Sequence, residues 1–176
     1  MKKLLSLILL STLLFSKSAK FEIEGIPFAY IYDGYHISLG ISNNEYRVRL
    51  SCLKIGSYDI EENSAVNGSK NFERYYDHGS YGLFLGYYIY QGFHIYGFIE
   101  SHNWKIKNTN TNESSNMKTI DIGPGIGYQF FINKSLYIQP AYHIYFRKRK
   151  KTTISNEEYK IPNIDRSFIL RIGYRF

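Results

Sequence analysis

The sequence predicts an all-β chain: a closed, antiparallel, eight-stranded up-and-down barrel. Three observations carry this. The closing segment, Ser167 to Phe176, places Phe168, Leu170, Ile172, Tyr174 and Phe176 on one face. Ser167, Arg171, Gly173 and Arg175 fall on the other, with Ile169 the exception. A period of two with an apolar set and a charged set describes a two-faced strand. Segments of this kind recur along the chain, and the turns between them keep their apolar faces together when the strands pair. The connections, finally, alternate between tight and long. Composition agrees, with 18 Tyr and 12 Phe among 176 residues, because aromatic side chains favour strands.

Residues 1–19 read as a signal peptide. Lys2 and Lys3 form a positive start, and Leu4 to Phe15 form an apolar run too short to span a membrane as a helix. Ser16-Lys17-Ser18-Ala19 offers small residues at cleavage spacing, and no Cys follows the run as in a lipoprotein. The remainder, 20–176, is one domain by length. Without Lys2, Lys3 and Lys17 the net charge falls from +7 to +4, which does not point to nucleic acid. Cys52 is the single cysteine, so no intrachain disulfide is possible.

The first strand is expected at Ile23–Tyr32 and the second at Tyr35–Ser42. Asp33-Gly34 between them suits a two-residue type I′ hairpin, pairing Tyr32 with Tyr35, Tyr30 with Ile37 and Phe28 with Leu39. The third runs from Glu45 to about Tyr58 after Asn43-Asn44, pairing Ile41 with Tyr46 and Leu39 with Val48. A polar stretch, Asp59–Ser80, leads to the fourth, Tyr81–Ile89. Tyr90-Gln91-Gly92 then turns into the fifth, Phe93–Lys107, with Ile89 opposite Phe93 and Tyr87 opposite Ile95. Asn108–Lys118 is read as a polar connection before the sixth strand, Thr119–Ile132. Asn133-Lys134-Ser135 sets Ile132 opposite Leu136 and Phe130 opposite Ile138 at the start of the seventh, Leu136–Lys150. Lys151–Arg166 is a third polar connection before the closing strand. Pro124 and Pro140 each remove a ladder donor; Gly123-Pro124-Gly125 is read as a bulge, and Pro140 has no explanation at this level.

Alternation alone does not separate a barrel that is apolar outside from a soluble ligand-binding barrel that is apolar inside. Three features favour apolar outside. The other face mixes Arg47, Arg49, Glu100, His102, Asp121, Arg171 and Arg175 with small residues such as Ser38, Gly40, Ser51, Gly125 and Ala141, which suits a narrow, ion-paired interior. Tyr and Phe cluster near strand ends, as interface girdles do. The last strand ends on Phe176 after Tyr174.

That ending resembles the closing strand of bacterial outer-membrane β-barrels, whose terminal aromatic is read by the barrel assembly machinery. The resemblance makes Tyr174 and Phe176 an assembly signal and implies a porin-like fold in a Gram-negative outer membrane, with outer-membrane lipid and lipopolysaccharide as neighbours. With Phe176 on the periplasmic side, the tight turns fall there and the long loops outside, apart from Asp33-Gly34.

Glu100, His102, His143, Arg147, Arg171 and Arg175 all point inward in this register and form a candidate lumen network. The sharper alternative is a narrow polar conduit, against which a barrel of so few strands argues. Arg147-Lys148-Arg149-Lys150-Lys151 would sit at the level of lipopolysaccharide phosphates; a solvated loop base is the other reading. Small outer-membrane lipid deacylases use His and Ser two positions apart. His36-Ile37-Ser38 has that spacing here, on the second strand, but it faces inward, so no catalytic residue is assigned. Asp77-His78 is read as a solvated loop pair, and no metal or cofactor spacing is present. Three functions stay open: a structural or surface-interaction barrel of OmpX-like or OmpA-like kind, a narrow OmpW-like transport barrel, and a lipid A-modifying enzyme. The barrel is expected to be a monomer.

Overall fold

The computed structural model describes residues 19–56, 71–77 and 79–176. The expected signal peptide, apart from Ala19, and His78 lie outside the described residues, as do the expected end of the third strand and most of the polar stretch after it. In chain order the elements are β1 (Lys20–Gly25), α1 (Pro27–Ile31), β2 (Tyr35–Ser42), β3 (Tyr46–Lys54), β4 (Phe72–Tyr76), β5 (Ser80–Tyr90), β6 (Phe93–Asn108), β7 (Ser114–Tyr128), β8 (Phe130–Phe131), β9 (Leu136–Arg147), β10 (Lys151–Ile154), β11 (Glu157–Lys160) and β12 (Ile164–Arg175). Eight of them, β1, β2, β3, β5, β6, β7, β9 and β12, close into an antiparallel barrel. β12 pairs with β9 from Ile164↔Phe146 to Tyr174↔Leu136 and with β1 from Gly25↔Ile172 to Glu22↔Arg175.

The apolar face points out. Leu39, Leu50, Ile99, Ile122, Phe168 and Ile172 are exposed, while Glu22, Arg47, Glu100, Asp121 and Arg171 on the alternate positions are buried. The described strands therefore do not enclose an apolar interior of the soluble, ligand-binding kind.

The first strand differs from expectation. β1 stops at Gly25, the Asp33-Gly34 hairpin does not form, and Ile23 rather than Phe28 lies opposite Leu39. This odd offset exchanges the faces, so Glu22 and Glu24 enter the lumen. Pro27 is the cause. It has no N–H for a ladder, and its fixed φ suits the first position of a helix, where it opens α1. α1 ends as Gly34 N–H donates to Ala29 O at 2.9 Å. A side chain at Gly34 would run into the backbone of Lys54, so only glycine fits there.

The other hairpins keep their faces. β2 and β3 pair as Ile41↔Val48 and Leu39↔Leu50, an even shift from the expected register. Their loop is longer than Asn43-Asn44 because Asn43 Oδ1 accepts from the N–H groups of Glu45 (2.8 Å) and Tyr46 (2.7 Å). Tyr87↔Ile95 holds as expected, but the turn is Gln91-Gly92, with φ of 20° and 92°, and Ile89 is left in a bulge between Tyr88 and Tyr90. Phe130↔Ile138 also holds.

Pairing of β6 with β7 continues to Lys107↔Ser114, so most of the expected loop Asn108–Lys118 is strand. Its outward residues are polar because they stand above the apolar belt. The expected loop Lys151–Arg166 likewise carries the β10–β11 hairpin, turned by Ser155-Asn156 with φ of 54° and 66°, and the start of β12. β4, in a stretch expected to be polar loop, pairs with β6. Together these elements form a crown with its own core: Phe72, Trp104, Ile106, Met117, Ile154, Tyr159 and Ile161 are buried.

The two strand prolines find a common account. β7 and β9 keep one register throughout, but their ladder is interrupted at Gly123-Pro124 and again between Gly127↔Ala141 and Phe130↔Ile138. Pro124 lies in the first gap and Pro140 in the second, where a missing donor breaks no bond. Gly123-Pro124-Gly125 is therefore a gap without a register shift rather than a bulge.

Candidate functional site

The lumen is built in layers. At the end of the barrel where β1 begins and β12 ends, three guanidinium groups enclose two carboxylates. Arg47 donates to Glu22 Oε2 (2.6 Å), Glu24 Oε1 (2.5 Å) and Gln139 Oε1 (2.6 Å). Arg49 donates to Glu24 Oε2 (2.6 Å), and Arg175 to Glu22 Oε1 (2.8 Å) and Gln129 Oε1 (2.6 Å). The Tyr137 hydroxyl donates to Glu24 at 3.0 Å and that of Ser42 to Glu22 at 2.7 Å. Each carboxylate thus has several charge-assisted donors, which burial demands.

An aromatic layer lies above. Phe84, Tyr96, Phe98, Ala141 and Tyr145 pack together. His143 stands among them, with Nε2 2.6 Å from the Tyr96 hydroxyl and Nδ1 2.8 Å from that of Tyr145. The Arg49 guanidinium lies 4.7 Å from the Phe84 ring centre. Arg171 reaches His143 Nε2 at 3.3 Å, and two of its other nitrogens are buried with no hydrogen-bond partner among the described residues.

A second charged layer closes the barrel toward the crown. Arg147 grips Asp121 with two bonds of 2.9 and 2.6 Å, donates to Pro162 O at 3.2 Å, and also pairs with Asp165. Arg74 donates to Asp165 at 2.9 Å and stacks 4.5 Å above the Trp104 ring. His102 Nδ1 is 3.0 Å from the Ser80 hydroxyl, and its Nε2 lies 3.5 Å from Asp121 and 3.8 Å from Glu100.

Glu100, His102, His143, Arg147, Arg171 and Arg175 therefore all lie in the interior, but in three levels rather than one network. Glu22, Glu24, Arg74 and Asp165 join them unforeseen. The two glutamates followed from the misplaced first strand. Arg74 and Asp165 stood in segments read as loops, although Phe72, Arg74 and Tyr76 carry the period-two signal.

The basic run divides. Arg147 is turned inward and does not belong to a lipid-facing cluster. Lys148, Arg149, Lys150 and Lys151 are exposed at the barrel rim. Lys151 and Lys160 bind Glu158 at 2.8 and 2.9 Å, and these hydrogen bonds hold the Glu158 carboxyl below its ordinary range. His36 and Ser38 are buried inside the barrel. Tyr174 and Phe176 face outward with rings 5.0 Å apart, and Phe176 N–H donates to Phe21 O at 2.9 Å.

With the barrel and its layered interior in view, comparison with known proteins yields a fold. No family model and no curated protein matches the sequence. The N-terminal β-barrel domain of Pseudomonas aeruginosa OprF is similar in structure, with a TM-score of 0.50 and 15% identity over 90% of this chain and 96% of that one. The fold is that of a small outer-membrane β-barrel. Neisserial surface protein A (TM-score 0.42, 14% identity, 89% and 92% coverage) and a major outer membrane protein of Thermus thermophilus (0.44, 14%, 90% and 99%) are more distant.

Proposed function

We propose that the protein is an integral outer-membrane barrel, closed along its axis, that acts at the cell surface through its crown. The observation that supports this is the layering of the lumen. Three successive layers of buried, mutually bonded side chains cross it, and the hydrophobic crown core stands over the outermost one. An apolar belt around a charged core is the arrangement a bilayer stabilises and water does not. The crown gives an ordered surface of strands where a pore would need an open mouth. Lys148, Arg149, Lys150 and Lys151 at the rim supply cations at the level where lipopolysaccharide phosphates lie, and this reading makes that lipid a direct neighbour.

Purified barrel added to a planar bilayer is expected to leave it silent; stepwise conductance would overturn the closed-axis reading. In the same preparation, Gln at those four positions is expected to lower co-purifying lipopolysaccharide; unchanged lipid would remove the rim contact.

A further inference from the structure

The barrel wall is incomplete on one side. β12 is paired with β9 along its whole length, but with β1 only from Ile172 to Arg175. β2 pairs with β1 only from Ser38 onward. Among the described residues, the β12 edge between Asp165 and Arg171 and the β2 edge between Tyr35 and Ile37 therefore have no strand between them. α1 occupies this window. Its inner side, Ile26 and Ala29, packs on Ile55, with Leu53, Tyr76 and Ile169 against them. Its outer side, Phe28, Tyr30 and Ile31, is exposed beside Phe168 and Leu170 of the belt.

Between α1 and β12 lies a cavity of about 370 Å³. Its walls include Ile26, Phe28, Leu53, Phe168 and Ile169, and its inner end reaches Tyr76 and Tyr145. The inward-facing aliphatic residues are the point. Elsewhere below the crown, this face of the described strands is ionic, polar, small or aromatic, yet Leu53, Ile55 and Ile169 break the pattern where the described sheet is open. Ile169, the exception to the alternation of the closing strand, lines this cavity.

We infer that the window between β12 and β2 is a lateral binding site for a single acyl chain of a lipid in the surrounding leaflet. The cavity is continuous with the belt through Phe28, Phe168 and Leu170, so the chemistry within reach of its mouth is hydrocarbon. Its inner end is phenolic, which stops a chain rather than passing it into the charged layers. α1 satisfies its own backbone by short-range bonds and pairs with no strand among the described residues; the Tyr30 hydroxyl donates to His36 O at 3.4 Å, and Gly56 N–H to Tyr32 O at 2.9 Å. Displacing it therefore breaks no ladder. The site rests on the barrel standing in a bilayer, which heat-modifiable migration of the folded protein checks separately.

Trp104 is the only tryptophan in the chain and is buried. It stacks on Tyr76 at 4.7 Å, above the belt and out of reach of bulk lipid. Folded protein in vesicles of phosphatidylcholine brominated near the chain ends is expected to lose a substantial part of its Trp104 emission relative to unbrominated vesicles. Filling the cavity with Ile169→Phe, or with Ser167→Phe should the first fail to fold, is expected to restore it. A free brominated fatty acid added to protein in detergent forms a second arm; quenching there but not in vesicles would overturn the lipid source. Emission indifferent to bromine in both arms, or quenched equally in the filled variants, would overturn the site.

Discussion

Single residues in the lumen differ sharply in what they hold. Glu24 accepts from Arg47 and Arg49 at 2.5 and 2.6 Å with no access to water. Neutralising it leaves two guanidinium groups short of a counter-charge in a low-dielectric interior, and breaking a buried pair in this way costs about 3–5 kcal/mol. Glu24→Gln is therefore expected to shift the denaturant midpoint of the folded barrel markedly downward. Glu158 makes two contacts of similar length with Lys151 and Lys160, but in solvent. Its folded carboxyl titrates below the ordinary value, so its contribution is present above that value and lost as pH falls. Water and salt screen such pairs, and Glu158→Gln is expected to leave the midpoint unchanged. Equal effects of the two substitutions would contradict the layered interior.

Individual elements show where the sheet tolerates interruption. The β7–β9 ladder skips the residues around Pro124 and Pro140, and Gly123 lies so close to the carbonyl of Ile144 that an added Cβ would collide with backbone. Gly123→Ala forces that approach apart and is expected to cost roughly 1–3 kcal/mol, as overpacking does. Gly97, on the neighbouring strand opposite Pro124, has nothing within 4 Å of an added Cβ. Gly97→Ala is expected to be neutral or to stabilise by about 0.4–1 kcal/mol through the unfolded chain. Unfolding midpoints of the two variants in one detergent make the comparison. β1 illustrates the opposite case, where a proline ends a strand outright and a helix takes its place.

At the scale of the molecule, closure depends on the join between β12 and β1. It has few paired residues, and its last bond is Phe176 N–H to Phe21 O. Phe176 contributes only backbone to that bond, while its ring points outward beside Tyr174. Phe176→Ala is thus expected to refold into detergent micelles like the parent, yet to reach the outer membrane of cells at a lower level. An equal loss in micelles would make the ring a packing residue; no loss in either would end the expectation that it is an assembly signal.

The sequence by itself determined a closed barrel with an apolar exterior, because a period of two is local and survives any even error in register. Six inward residues were legible for the same reason. Their grouping was not, since which charges meet depends on the stagger of strands around a closed sheet. Nor was the crown, whose strands are polar on their outer face and so lose the alternation that marks a strand within the belt. The β1 register turned on Pro27, a visible residue whose missing N–H outweighed the apolar pattern of Phe28, Tyr30 and Tyr32. Only the tertiary structure decided that Glu22 and Glu24 complete the lower charge layer and that α1 fills a gap in the wall, because both depend on pairings between residues far apart in the chain.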